Sequence, residues 1–232
     1  MTKLVKVLIT KDGPYLVSGS TLLNKEISTL GIAGEPETWA TGQQYAPQAS
    51  YALCRCGKSI NKPFCDGTHV KVHFDGTETA NNSSYQKQSR KISGSTIDLL
   101  DAQDYCSSAR FCNLSGGTWK NVENSSNPLS KKIAIQTACN CPSGRLTIID
   151  KKTGKLLEPK LPISIGLIED PGVKASGPIW LKGGIELESF NGTKYEDRNR
   201  MTVCRCGKSG NKPFCDGSHI TVKFNDGDNS LK

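Results

Sequence analysis

The side chains able to do chemistry in this chain crowd into two short stretches. Cys54, Cys56, Cys65 and His69 form the first, and Cys204, Cys206, Cys215 and His219 repeat it with the same spacing, C-x-C-x8-C-x3-H. The stretches read CRCGKSINKPFCDGTH and CRCGKSGNKPFCDGSH, and differ only at Ile60/Gly210 and Thr68/Ser218. Three thiols and one imidazole packed this densely read as a metal site. Only Arg55 or Arg205 separates the first two thiols, so both can close on one metal. Cys65 and His69 stand at i and i+4, which on a helical turn places them on one face. Asp66-Gly67 and Asp216-Gly217 supply turn chemistry that could open that helix. Zinc sites usually space their first cysteines by two or more residues. One Cys/Cys pair and one Cys/His pair instead suit the two irons of a [2Fe-2S] cluster. Two structural zinc knuckles on the same ligands are the competing reading.

These residues closely resemble the CDGSH (mitoNEET-like) iron–sulfur family. The resemblance rests on CDGTH at 65–69 and CDGSH at 215–219, each preceded by CRCGKS and NKPF. It implies a redox-active, acid-labile [2Fe-2S] cluster at each stretch, two in all. The ligands it implies are Cys54, Cys56, Cys65 and His69, and Cys204, Cys206, Cys215 and His219. It also implies a paired arrangement that single-copy members reach as homodimers with exchanged strands. Here one chain is expected to supply both halves as an internal pseudo-twofold pair, and so to be a monomer.

Around each motif a larger repeated unit is legible. Leu4, Val5, Val7 and Ile9 give a β pattern, and Asp12-Gly13-Pro14 turns into a second strand, Gly13 to Gly19. Gly177 to Gly184 echoes that strand before the second motif. The first copy has the longer connection, through Trp39 and Tyr45. Val72-x-Phe74 and Val222-x-Phe224 follow the ligand turns, and His73, matched by Lys223, is expected to be a surface strand residue rather than a ligand. Residues 79–95, rich in Ser and Asn, read as a linker or exposed loop.

The block that follows has no repeat partner and holds Cys106, Cys112, Cys139 and Cys141. Asn127-Pro128 is a helix start, with Leu129, Ile133 and Ala134 in helical spacing as far as about Cys139. Leu146 to Ile149 reads as a strand, turning at 151–154 into a hairpin with Leu156-Leu157. Cys-Pro-Ser-Gly-Arg-Leu at 141–146, with Cys106-x5-Cys112 upstream, resembles the divergent single-cluster ferredoxin-like domain found beside CDGSH motifs. Cys106, Cys112 and Cys141 correspond to that family's cysteines, and Cys139 is the obvious fourth thiolate. The four are expected to hold a third iron–sulfur centre, a cubane, as a redox station between the other two. The competing reading is a domain that has kept the fold and lost its cluster. Further on, Ile163 to Ile168 is an apolar strand, and Asn191-Gly192-Thr193 reads as a turn.

The 232 residues are lean in hydrophobic (35%) and aromatic (6%) side chains, which suits short strands, many loops and stability borrowed from metal. The expected fold is mainly β with short helices (α+β): a first CDGSH unit at 1–78, a ferredoxin-like α+β insert at 79–160, and a second CDGSH unit at 161–232. MTKLVKVLITKDG lacks the apolar core of a signal peptide, and no run approaches a membrane span. A soluble, cytoplasmic protein with reduced thiols and no membrane partner is expected. The formal charge of +8 is carried by scattered Lys and Arg, so a basic surface that steers an acidic redox partner is expected, not nucleic acid binding. The sequence shows no nucleotide loop, Ser–His–Asp set or H-E-x-x-H helix, and no histidine is left over as a base. The expectation is therefore not an enzyme but an electron carrier or redox sensor. The alternative is storage and transfer of iron–sulfur clusters to apo-protein acceptors.

Overall fold

The computed structural model describes residues 5–232; Leu4, in the first expected strand, lies outside them. Strands β1 (Lys6–Ile9), β2 (Tyr15–Ser18), β3 (Leu22–Leu30), β4 (Pro36–Tyr45) and β5 (Ser50–Leu53) lead into the first cysteine loop, which ends in a one-turn helix, α1 (Thr68–Lys71). The middle of the chain forms α2 (Tyr85–Gln88), β6 (Arg90–Ser93), β7 (Ile97–Asp101), α3 (Thr118–Glu123), α4 (Pro128–Cys139), β8 (Leu146–Asp150) and β9 (Leu156–Leu157). Then β10 (Ser164–Asp170), β11 (Ala175–Lys182), β12 (Glu186–Glu188) and β13 (Arg200–Val203) lead into the second loop and α5 (Ser218–Thr221). The protein is mainly β with short helices.

The two repeats are interlocked. Strand β2 lies between β1 and β5, both antiparallel to it, and β11 lies likewise between β10 and β13. The strand after each hairpin crosses over to the other unit. Thus β3 pairs in parallel with β10, and β12 in parallel with β1. Parallel neighbours need a long crossover, and here each crossover runs from one repeat into the other. Val7, Ile9, Tyr15, Val17 and Leu53 therefore share one core with Ile165, Leu167, Ile179, Leu181, Leu187 and Phe214. The internal pair is built by strand exchange within one chain.

Buried charge holds the exchange in place. Lys25 of β3 pairs with Glu169 of β10 at 2.5 Å and with Asp226, while Glu26 pairs with Lys182. Polar residues inside β3 had read as a connection; their partners across the repeat make it a central strand.

The middle residues form the sheet β6-β7-β8-β9. Ile97, Leu99, Leu146 and Ile148 pack on Val122 of α3 and on Ala134 and Ala138 of α4. The Asn127 Oδ1 caps α4, accepting from the N–H groups of Leu129 (2.9 Å) and Ser130 (3.3 Å). Leu129 itself is exposed, and the inward face is Ala134, Thr137 and Ala138. Small residues there let the Thr118 hydroxyl reach that of Thr137 at 2.8 Å.

Two expectations about loops change. Residues 79–95 are not a free linker, because α2 and β6 lie within them and the Tyr85 hydroxyl donates to the carbonyls of Leu100 and Arg145. Val72 to Phe74 is not a strand either. The Phe74 N–H returns to the His69 carbonyl, and exposed His73 takes a positive φ of 47°, matched by 48° at Lys223.

Arg200, 1% exposed, fastens the middle block to the second unit. Its guanidinium donates to the carbonyls of Ala138, Cys139, Cys141 and Leu146 and pairs with Glu158. It thereby satisfies orphan carbonyls at the end of α4.

Burial alone would raise the Asp226 carboxyl, but Arg205 and Lys25 overcome it and hold the group well below the usual carboxylate range. A depressed carboxylate adds stability above its unfolded pKa of about 3.9, and that contribution fades as pH falls below it. Asp226→Ala leaves Lys25 and Arg205 short of a buried partner and is expected to cost about 3–5 kcal/mol at neutral pH. The urea midpoint at fixed cluster loading measures the loss. The gap between variant and parent should narrow below about pH 4.

Candidate metal centres

Each cysteine loop is closed by the same backbone bonds. The Cys54 N–H donates to the Pro63 carbonyl (2.8 Å) and the Cys65 N–H to that of Ala52 (2.9 Å); Cys204 and Cys215 repeat this with Pro213 (2.8 Å) and Thr202 (3.0 Å). The Ser59 and Ser209 hydroxyls brace the turns on the Phe64 and Phe214 carbonyls. Asp66 and Asp216 cap the following turns, accepting from the Thr68 and Ser218 N–H groups. Cys65 and Cys215 lie ahead of their helices rather than on them. The turn at Gly67 or Gly217, both at positive φ, brings each histidine back to its cysteine.

The donors gather in pairs. Cys54 Sγ lies 3.8 Å from Cys56 Sγ, and Cys65 Sγ lies 3.4 Å from His69 Nδ1; the second loop gives 3.6 Å and 3.3 Å. A tetrahedral metal with bonds of about 2.3 Å to sulfur sets sulfur–sulfur edges of ~3.8 Å, so each pair fits one metal. Among the described residues, no three of these donor atoms lie within 4.8 Å of one another. A single zinc would draw all four that close, whereas two metals per loop match the pairing. The residues therefore fit a binuclear iron–sulfur group.

Local chemistry prepares the thiols. The Cys56 thiol lowers the Cys54 pKa by donating to it, against burial, and Cys206 does the same for Cys204. One sulfur of each pair is thus biased towards the thiolate, the form that binds metal. Amide N–H groups also point at sulfur, from Lys58 to Cys56 (3.4 Å) and from Gly67 to Cys65 (3.5 Å). Burial, helped by the Arg205 charge, pushes His219 down to about 4, which keeps its imidazole neutral.

The two loops meet back to back. A Cβ on Gly57 would fall 2.6 Å from the Cys206 carbonyl oxygen, and one on Gly207 would fall 2.5 Å from that of Cys56. Only glycine allows this approach, and both residues have positive φ.

Their surroundings differ. Arg205 donates to the Gly177 and Ile168 carbonyls and pairs with Glu169 (2.7 Å) and Asp226. Among the described residues, Arg55 donates to the carbonyls of Thr10 and Gly76 and stacks near Tyr15 and Phe74. Gly76 stands where the second unit has Asp226. His69 and Cys65 are half-buried, while His219 (4% exposed) and Cys215 (2%) are covered. The cover comes from the middle block. Ser108 lies against Gly217, where a Cβ would come within 2.3 Å of its Oγ. Asn211 donates to the Asp104 carbonyl, and Arg110 pairs with Asp170 at 2.7 Å. The sequence repeat hides this difference, because it arises from residues outside the repeated motif.

Of the four middle cysteines, three converge. Cys106, Cys112 and Cys141 line one cavity of 250 Å³. Burial, with smaller contributions from Cys141 and Cys106, pushes the Cys112 thiol up to about 12. Cys139 does not join them, contrary to the sequence expectation. It ends α4 facing the other way, with Sγ 3.6 Å from the Leu157 carbonyl, which it meets as a donor. At i and i+2 across a helix end, Cys139 and Cys141 point apart.

Repeated Cys/Cys and Cys/His pairs, with a three-thiol cavity beside them, define an iron–sulfur protein. Residues 12–70 and 176–220 match the family described as iron-binding zinc finger, CDGSH type, and residues 92–151 match the divergent 4Fe-4S mono-cluster family. The chain thus carries two CDGSH-type iron-binding domains with a divergent 4Fe-4S domain between them. Neither the curated proteins nor the solved structures searched gave a match.

Unequal cover predicts unequal iron loss. With an iron chelator, the 54–69 loop should empty several-fold faster than the 204–219 loop, giving two phases in visible absorbance. His69→Cys should slow only the fast phase. A single phase would show that the cover does not limit access.

Proposed function

We propose that the protein is an electron carrier, with a [2Fe-2S] cluster in each Cys3His loop and a further cluster in the middle block. The observation that supports this reading is that the three donor sets are linked by direct contacts. The first loop abuts the second through Gly57 and Gly207, and the second abuts the Cys106–Arg110 segment through Gly217 and Ser108. Bound clusters would supply the one-electron chemistry that no side chain here provides. The chain's own part is to hold the donors, exclude water and set the local charge. The Cys106 thiol is near enough to Cys215 to add to the rise that burial imposes on it. On this reading the middle block stands at one end of the line, next to the second loop, rather than between two CDGSH stations.

The half-buried edge at Cys65 and His69 is then the contact point for a redox partner. The formal charge of +8 favours an acidic one. Among the described residues no helix is long and apolar enough to cross a membrane. The same open edge favours a second reading, transfer of the first-loop cluster to an apo-protein acceptor.

Mixing the oxidised, loaded protein with an apo-ferredoxin, and separately with a reduced ferredoxin, distinguishes the two. The carrier reading expects one-electron reduction of the loaded protein by the reduced ferredoxin, with its iron retained. Cluster appearing in the apo-ferredoxin, without electron exchange with the reduced one, would replace it with the transfer reading.

A further inference from the structure

The cavity in the middle block is lined by thiols on one wall and by polar groups on the rest. At 250 Å³ it could take roughly eight water volumes of about 30 Å³ each. Its wall carries three thiols, and the fourth cysteine of the block is bonded away from it to the Leu157 carbonyl. A four-iron cluster bound wholly by protein takes four cysteines. The remaining polar wall is Ser107, Ser108, Asn113 and Ser143, with the guanidinium groups of Arg110 and Arg145.

Both guanidinium groups of the wall are already paired with carboxylates, so neither needs the cluster as a counter-charge. Arg145 pairs with Asp101 at 2.7 Å and stacks near Trp119. Arg110 pairs with Asp170, yet its Nε is buried and has no partner. The Ser143 hydroxyl sits 3.5 Å from Cys141 Sγ and accepts from the Arg145 N–H, so it braces the turn.

We propose that Cys106, Cys112 and Cys141 hold a four-iron cluster with one iron left free of protein thiolate, open to a small anionic donor such as a thiolate or carboxylate. This rests on the iron–sulfur reading of the block but goes beyond electron carriage, because an open iron is a binding site. Cys139 has no part in it; its place is in the packing of α4 against β9.

The open iron makes one oxidation distinctive. One-electron oxidation by ferricyanide, which becomes ferrocyanide, should release the open iron as Fe²⁺ and convert [4Fe-4S]²⁺ to [3Fe-4S]⁺. Oxidised [2Fe-2S] clusters are diamagnetic, so a new EPR signal reports the middle block alone. In the full-length ⁵⁷Fe protein, Mössbauer spectra should show one iron in four of the middle cluster distinct from the rest, and 2-mercaptoethanol should shift that one. Cys139→Ser should keep the middle cluster at parental iron content. Cys106→Ser, Cys112→Ser or Cys141→Ser should lose it while the two Cys3His loops keep theirs. Four equivalent irons, no iron released by ferricyanide, or loss of the middle cluster in Cys139→Ser would overturn the proposal. A middle block without iron in the parent protein would overturn it as well. If the open iron is found but the ferredoxin experiment shows no electron exchange, the carrier reading alone fails.

Discussion

Two peptide turns in direct contact constrain the whole molecule. Gly57 rests on the Cys206 carbonyl and Gly207 on that of Cys56, with no room for a Cβ on either side. Two surface loops held this close need their supporting sheets locked together. Exchange of β3 and β12 does that, since each unit completes the sheet of the other. The core that results belongs to neither repeat alone.

Exchange places charged residues where an ordinary strand would carry apolar ones. Lys25 and Glu26 are buried in β3, and their partners Glu169, Asp226 and Lys182 all come from the second unit. Arg205, between Cys204 and Cys206, joins the same network, so the residues that lock the exchange also surround the second cysteine loop. Arg55 has no carboxylate at the equivalent place. Similar motifs thus sit in dissimilar fields, and the ferredoxin-type block deepens the difference by covering the second loop only.

Much of this was legible from residue types and spacing. Repetition of C-x-C-x8-C-x3-H defined both donor sets, and Asn127-Pro128 and the 151–154 turn located α4 and the β8–β9 hairpin. Strand β3 was not legible, because LNKE reads as polar loop until its cross-repeat partners are known. Nor was the fate of Cys139. Four cysteines in one block invite a four-thiolate site, but the end of α4 sends Cys139 and Cys141 to opposite sides. Only the backbone direction there separates a thiol that lines the cavity from one packed away from it. The spatial order of the sites was hidden for a related reason. Position along the chain places the ferredoxin block in the middle, whereas Arg200 and the Ser108–Gly217 contact fasten it beside the second loop.

Anomalous diffraction at the iron edge from crystals of the loaded protein tests the account most directly. It predicts two irons within each Cys3His loop and a compact iron group bounded by Cys106, Cys112 and Cys141, nearer the second loop than the first. A single zinc centred among Cys54, Cys56, Cys65 and His69, or metal density bonded to Cys139, would contradict it.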